Sequence, residues 1–358
     1  MTVSRRDFCH RLSAVVPAAL LAQRIPMLPA ETIRLDSNEN PYGPFPSARG
    51  AIARAIADGN RYPGGDVQAL VDEIAKQNGV GPSNVLLTVG ATEGLIMCAR
   101  AFTRPDAALV TAAPSYETIA ATAERLRSPV IRVPLRDDGR LDLDTMSARA
   151  ATAGLVYACN PNNPTGVSIP ATAMRSFIAS APHTTFVIGE AYHEYVETPG
   201  YESMATDAMR NSRIVVSRTF SKLYGLAGLR LGYLIAADTT IRELARLRVG
   251  LGANSLAVMA AAVSLHDVEE QDRQRRLTRE SREATMRFFS ERGWRVLPGE
   301  ANYLFVDIKR DLPTFRAACE SRGLLVGRIY PPATTWMRIT IGTRDEMQRA
   351  FAILGDVL

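Results

Sequence analysis

The chain draws its positive charge almost wholly from arginine and keeps three lysines: Lys76, Lys222 and Lys309. Lys76 lies in the amphipathic stretch DVQALVDEIAKQNG and Lys309 in the turn-like DIKRDL, places where a lysine simply faces water. Lys222 differs. It stands within SRTFSKLYGLAGLRLGY (217–233), just past an apolar strand and ahead of small residues that allow another group close to the backbone. A lysine at a strand end, screened from water, holds its proton less tightly and can act as a nucleophilic amine.

Two other segments carry chemistry. In LLTVGATEGLIM a strand runs into a helix at Gly90, Ala91 and Thr92. The first amides of such a helix are unpaired and carry partial positive charge, so they can seat a phosphate. An ordinary helix cap accounts for the same residues, and the glycine spacing is that of neither a P-loop nor a dinucleotide fingerprint. In ACNPNNPTG (158–166) two prolines fix the backbone and leave Asn160, Asn162 and Asn163 as rigidly aimed polar groups.

The elements that must position these residues alternate in type. NVLLTV (84–89), AALVTA (107–112), SPVIRVPL (128–135), AGLVYAC (153–159), TTFVIGEAY (184–192) and SRIVVSRTF (212–220) read as strands. Helical patterns fall between them, at EGLIMCARAF (93–102), SYETIAATAERLR (115–127) and PATAMRSFIASA (170–181). Val- and Ile-rich strands alternating with helices predict an α/β fold with a mostly parallel sheet covered on both faces. A long helical region then runs to about 292. It is followed by strand candidates in 294–308, a helix near 312–322, and the strands LLVGRIY and WMRITIGT, a smaller α+β unit.

Length and composition set limits. The 358 residues can bury one large core or two, and 46% hydrophobic with 22% charged residues is ordinary for a globular chain. The net charge of +5 owes much to Arg5, Arg6, Arg11 and Arg24, opposed only by Asp7 in the first thirty residues. The remainder is close to neutral and has no basic stripe with interleaved aromatics, so nucleic acid is not an expected partner. Cys9, Cys98, Cys159 and Cys319, and His10, His183, His193 and His266, lack the spacing of a disulfide framework or a metal site. The N-terminus, MTVSRRDFCHRLSAVVPAALLAQ, resembles a twin-arginine export signal, with cleavage expected near Ala22 or Ala30 and a periplasmic destination. Its apolar run is too short to span a membrane.

Eight fragments appear in order: NENPYGP (38–44), RYP (61–63), VGATEG (89–94), PSY (114–116), NPNNPTG (160–166), EAY (190–192), TFSKLYGLAGLRLGY (219–233) and RITIGT (338–343). Together they resemble the fold-type-I, class I/II aminotransferases dependent on pyridoxal phosphate, on the histidinol-phosphate aminotransferase branch. The resemblance implies a large domain built on a mostly parallel seven-stranded sheet between helices, and a smaller α+β domain. The expected boundaries are 1–30 for the leader, 31–58 for an arm joining the small domain, 59–255 for the large domain and 256–358 for the small one.

The same resemblance implies roles. Lys222 forms the Schiff base with pyridoxal phosphate and moves the proton in catalysis. Arg230, Thr219 and Ser221 hold the phosphate together with the amides at Gly90, Ala91 and Thr92. Tyr116 stacks on the cofactor ring, and Asn163 and Tyr192 bond its phenolic oxygen. Tyr62 reaches the cofactor phosphate of a second subunit, implying a homodimer. Arg338 grips the carboxylate of the amino acid or 2-oxo acid, Asn163 lies beside the substrate too, and Tyr42 lines its entrance. The expected reaction is a ping-pong transamination.

Two positions depart from the family pattern. Gly189, in GEAY, stands where the family has an aspartate that pairs with the cofactor's ring nitrogen. Glu190 is next in line, but alternation along a strand turns it to the opposite face unless a bulge at Gly189 re-aims it, so the place opposite Gly189 is expected to be vacant or water-filled rather than taken by Glu190. The loss of a carboxylate there weakens the ring as an electron sink. It leaves two alternatives to transamination: another reaction on an amino acid, such as decarboxylation, elimination or oxidation, or cofactor binding with impaired turnover. In LLVGRIY, Gly327 holds a place where the histidinol-phosphate branch has an arginine, and Arg328 comes one residue later. Recognition of a substrate phosphate is therefore not expected.

Overall fold

The computed structural model describes residues 31–248, 250 and 252–358, so the leader expected over 1–30 lies outside the described residues. Strand β1 (Ile33–Leu35) is followed by helices α1 (Pro46–Ala55) and α2 (Gly65–Gln77). Strands and helices then alternate: β2 (Val85–Thr88), α3 (Gly90–Phe102), β3 (Leu109–Ala113), α4 (Thr118–Arg125), β4 (Val130–Pro134), α5 (Leu143–Ala150), β5 (Leu155–Cys159), α6 (Ala171–Ser180), β6 (Thr185–Gly189), α7 (Ala205–Arg210), β7 (Ile214–Thr219) and β8 (Gly232–Ala236). Beyond them come α8 (Asp238–Ala245), α9 (Ser255–His266), α10 (Val268–Ser290), β9 (Arg295–Val296), β10 (Tyr303–Asp307), α11 (Leu312–Glu320), β11 (Leu324–Val326), β12 (Trp336–Thr340) and α12 (Arg344–Val357). No described helix is long and apolar enough to cross a membrane.

Seven strands form one sheet in the order β2-β8-β7-β6-β5-β3-β4. The pairs from β7 to β4 are parallel, and β8 runs antiparallel to both β2 and β7. The mostly parallel seven-stranded sheet is therefore as expected. Strand β8 is absent from the strands read in the sequence, because Gly-Tyr-Leu-Ile-Ala follows directly on the glycine-rich segment after Lys222.

Alternation along the strands builds two cores on this sheet. Val156, Phe186, Ile188 and Val216 pack with Met174 and Phe177 of α6 and Ala208 of α7. The rings of Phe177 and Phe186 meet edge to face, 5.2 Å apart. On the other face, Leu155, Tyr157, Val187 and Val215 pack with Leu95 and Cys98 of α3, Ile119 of α4 and Ile241 of α8. A separate core joins Ile33 and Leu35 of β1 to Phe288, Phe289, Leu304, Phe315, Ile339 and Leu354. It covers the antiparallel sheet β12-β10-β9 and the parallel pair β1-β11.

Segments on either side of the expected boundaries at 58/59 and 255/256 also pack on the large sheet. Ala48 of α1 and Ala257, Val258 and Ala261 of α9 are buried in the first core of the large sheet. Helix α9, SLAVMAAAVSLH, is apolar on every side, so its sequence has no stripe to show which neighbour it covers. The start of α9 is fixed locally by Asn254, whose side chain accepts from the Ala257 amide.

The residue after β6, Glu190, points away from the α3 face, as alternation requires. Arg218 Nε donates to Glu190 Oε2 at 2.9 Å, and the Met204 amide donates to Oε1 at 2.8 Å. The two side chains are only 7% and 1% exposed, so the ion pair is dry. Removing one member strands a buried charge, which costs about 3–5 kcal/mol, whereas replacing both by groups of similar volume costs much less. Arg218→Ala should therefore lower unfolding free energy by about 3–5 kcal/mol, and Glu190→Gln with Arg218→Met by clearly less. Urea unfolding of the three proteins checks this, and equal losses in both variants would contradict it.

Candidate active site

The parallel strands end along one edge, on the side covered by α3. There Gly189 pairs with Cys159 on one side and Ser217 on the other. A cavity of about 460 Å³ opens at this edge. Lys222 lines it, three residues past the end of β7, with Thr219, Ser221 and Arg230 beside it.

One wall is a seat for an anion. Gly90 has a φ of 70°, and a β-carbon there would lie 2.5 Å from Arg230 Nη2, so only glycine lets the guanidinium settle against the start of α3. Gly232 of β8 is as tightly placed: its β-carbon would lie 2.6 Å from the Ala91 amide nitrogen. No side chain caps α3, and Ala91 and Thr92 face the cavity. Thr219 and Ser221 share a hydroxyl hydrogen bond of 2.8 Å. Arg230, itself at a φ of 55°, donates to the Ala227 carbonyl at 2.9 Å. Unpaired amides, two hydroxyls and one guanidinium form the donor set a phosphate requires.

The Lys222 amine donates to the Asn38 carbonyl at 3.0 Å and the Ser37 carbonyl at 3.4 Å. Burial lowers its pKa from the ordinary 10.5 to about 7, and the charges of Arg338 and Arg230 push the same way against Glu39. The opposite wall is a polar chain. The Tyr192 hydroxyl accepts from Asn38 Nδ2 at 3.0 Å and from Asn163 Nδ2 at 3.2 Å. Asn163 Oδ1 in turn accepts from Arg338 Nη1 at 3.0 Å, and Arg338 Nη2 donates to the Asp36 carbonyl. Arg338 Nε is buried and has no partner. The Tyr192 hydroxyl is held well above its ordinary pKa by burial, so it stays protonated and can donate.

Lys222, Tyr192, Asn163, Tyr116, Ala91, Thr92, Gly189, Thr219, Ser221, Arg230 and Arg338 thus come together around this cavity, with Gly90 supporting Arg230. Asn38 was not singled out from the sequence, although it heads NENPYGP. It is 1% exposed, adopts a φ of 53°, and links Lys222, Tyr192 and Thr340. Its signal was an asparagine ahead of a turn-rich motif, which local chemistry alone does not separate from an ordinary loop residue. Tyr42, expected at the substrate entrance, is not among the residues that line this cavity, and its ring lies 5.9 Å from the Arg273 guanidinium. Tyr62 is also away from the cavity and 83% exposed.

The place opposite Gly189 is not vacant. A β-carbon there would lie 2.6 Å from the Tyr157 hydroxyl, whose ring leans in from β5. Gly327 likewise has no room, since its β-carbon would lie 2.6 Å from the Arg338 carbonyl oxygen. Arg316 and Arg328 reach the cavity instead, with Arg328 stacked 4.3 Å from the Tyr330 ring. Among the described residues no group of three or more His, Cys, Asp or Glu is arranged to hold a metal ion.

Residues 30–354 match the family model of the class I and II aminotransferases. The chain is 35% identical to a histidinol-phosphate aminotransferase of Moorella thermoacetica, across 92% of this chain and 86% of the relative. It is equally 35% identical to an aromatic amino acid aminotransferase of Thermobifida fusca, across 87% of each. The crystal structure of histidinol-phosphate aminotransferase from Sinorhizobium meliloti in complex with pyridoxal-5'-phosphate superposes with a TM-score of 0.85. That match has 27% identity and covers 97% of this chain and 98% of the other.

The depressed pKa of Lys222 has a thermodynamic consequence. Between about 7 and 10.5 the unfolded chain binds a proton at this amine that the folded chain does not, so stability rises with pH through that window. Below it the full penalty of charging the buried amine is present. Lys222→Met should flatten this part of the profile in ligand-free protein. Denaturant midpoints at the two ends of the window measure the effect, and an equal rise in both proteins would refute it.

Proposed function

The chain belongs to the class I and II aminotransferases, and from that premise we propose that its cavity holds pyridoxal phosphate and moves an amino group from an amino acid to a 2-oxo acid. The observation that carries the assignment of residues is a partly buried Lys222 amine, its pKa lowered to about 7, beside a ready anion seat. The donor set fits the cofactor: Thr219, Ser221, Arg230 and the α3 amides for its phosphate, Tyr116 for the flat face of its ring, and Asn163 with Tyr192 for its phenolic oxygen. When bound, the cofactor supplies an electron sink for the bond broken at the substrate's Cα.

The protein's own groups do the rest. Lys222 Nζ anchors the cofactor and, with a pKa near neutrality, serves as the base that takes the Cα proton. Tyr192, protonated and held by two asparagines, orients what it touches without changing charge. Arg338 meets the substrate carboxylate, and its unpartnered Nε is the donor left over for that purpose. Arg316 and Arg328 add positive charge to the same cavity, which favours an amino acid with a second anionic group.

The active unit in this reading is a homodimer, in which the exposed Tyr62 reaches the cofactor phosphate of the second subunit. The leader over 1–30 sends the folded protein to the periplasm; the Ser4-Arg5-Arg6-Asp7-Phe8 sequence supports this.

Lys222→Ala should abolish the near-visible absorption of the anchored cofactor and lower the transamination rate about 10²- to 10⁴-fold. Arg338→Ala should leave that absorption in place and lower kcat/KM by roughly 10- to 100-fold, as expected for a lost charge-assisted pair. Absorption spectra and coupled assays with neutral and dicarboxylic amino donors check both; retention of the absorption in Lys222→Ala would remove the assignment. For the cellular reading, cell fractionation should find the protein in the periplasm, sedimenting there as a dimer. Arg5→Lys with Arg6→Lys should hold it in the cytoplasm. A monomer, or unchanged location of the variant, would count against the corresponding part.

A further inference from the structure

The floor of the cavity contains no ionised group. Cys159, Gly189 and Ser217 lie side by side in register on β5, the end of β6, and β7, and Tyr157 is two residues before Cys159 on the same face. Tyr157, Cys159, Gly189 and Ser217 all line the cavity with Lys222 and Tyr116. The Tyr157 hydroxyl lies 2.6 Å from where a β-carbon at Gly189 would stand, and its ring atoms Cε2 and Cζ lie 3.0 and 3.1 Å from it. Tyrosine at 157 in this pose and a side chain at 189 exclude one another. The aromatic hydroxyl has taken the volume in which a carboxylate stem would stand.

The neighbouring groups narrow what this floor can do. Ser217 Oγ is buried, in a residue 1% exposed, and has no hydrogen-bond partner in the protein. Such an unpaired buried group is costly, and a ligand edge that accepts its hydrogen bond removes the cost. The Cys159 thiol is already engaged with the Pro161 carbonyl at 3.2 Å. Glu190, the nearest carboxylate along the chain, is bound to Arg218 on the far side of the sheet. The floor therefore offers neutral hydroxyl donors.

We propose that the ring nitrogen of the bound cofactor is met by the neutral hydroxyl of Tyr157, with Ser217 beside it, in place of a carboxylate, and so accepts a hydrogen bond instead of carrying a proton. This rests on the reading of the cavity given above. Burial holds the Tyr157 hydroxyl far above its ordinary pKa, so it remains a donor at every working pH. A carboxylate keeps a pyridine nitrogen protonated; a phenol and an alcohol do not supply the charge to do so. The ring is then a weaker electron sink, and more of the work of Cα proton removal falls on the Lys222 base. Gly189→Asp alone does not convert the floor, because its β-carbon meets the Tyr157 hydroxyl. Gly189→Asp combined with Tyr157→Val, which removes the hydroxyl and the two ring atoms that crowd position 189, makes both the room and the charge.

The test uses the full-length enzyme loaded with pyridoxal phosphate that carries ¹⁵N in its ring, observed by NMR. The unaltered enzyme should give a nitrogen shift in the range of an unprotonated, hydrogen-bonded pyridine. Tyr157→Phe, which keeps the ring and removes only the oxygen, should move the shift towards a free pyridine and weaken cofactor binding about 3- to 10-fold, the size of one neutral hydrogen bond. Gly189→Asp with Tyr157→Val should move the shift into the protonated range. A protonated nitrogen in the unaltered enzyme overturns the inference while leaving the cofactor site intact, as does a Tyr157→Phe protein with unchanged shift and affinity. Failure of the unaltered enzyme to bind the labelled cofactor, or binding that is unaffected by Lys222→Ala, overturns the cavity assignment and this inference with it.

Discussion

The Lys222 amine donates to the Ser37 and Asn38 carbonyls, two neutral acceptors, while Arg230 and Arg338 oppose its charge. An amine in such a place loses its proton far more readily than an ordinary lysine, and the uncharged form is a nucleophile and a base. The surrounding fold meets this one requirement. The sheet edge presents Lys222 past β7, the segment from Asp36 to Asn38 covers it, and Asn302 holds that segment by donating to the same Asn38 carbonyl at 3.1 Å. Arg338 is tied to both sides at once, through the Asp36 carbonyl and through Asn163.

Glycine does a second kind of positioning. Gly90 and Gly232 let α3, β8 and Arg230 converge until amides and guanidinium lie in one place. Gly189 works differently, since the space it leaves is filled from the neighbouring strand. The first two glycines accommodate an anion that any such seat must bind. The third leaves a neutral hydroxyl at the cavity floor where a side chain would otherwise stand.

The strands of the large sheet were legible because their Val- and Ile-rich runs lie between periodic helices, and the observed ends fall within a few residues of those read from sequence. The residues around the cavity were legible for another reason: rare residue types in an ordered set of motifs, with Lys222 standing out in an arginine-based chain. What was not legible depended on partners distant in sequence. Asn38 acquires its importance from Tyr192 and Thr340, and Tyr157 from the missing side chain at Gly189. Helix α9 gave no direction because it is apolar on all sides, and β8 was hidden by the glycines before it.

The pairing of Ile33 with Leu324 sets an order of events during synthesis. Strand β1 is made before the large sheet and its hydrogen-bonding partner after it, on the order of tens of seconds later at ordinary ribosomal rates. The same delay applies to the grip of Arg338 on the Asp36 carbonyl. A nascent chain can assemble the broad sheet long before it can cover its lysine, so the reactive amine stays open to water until β11 and β12 have been made. Truncation close to the C-terminus would thus spare most of the folded mass and still leave the chemistry unsheltered.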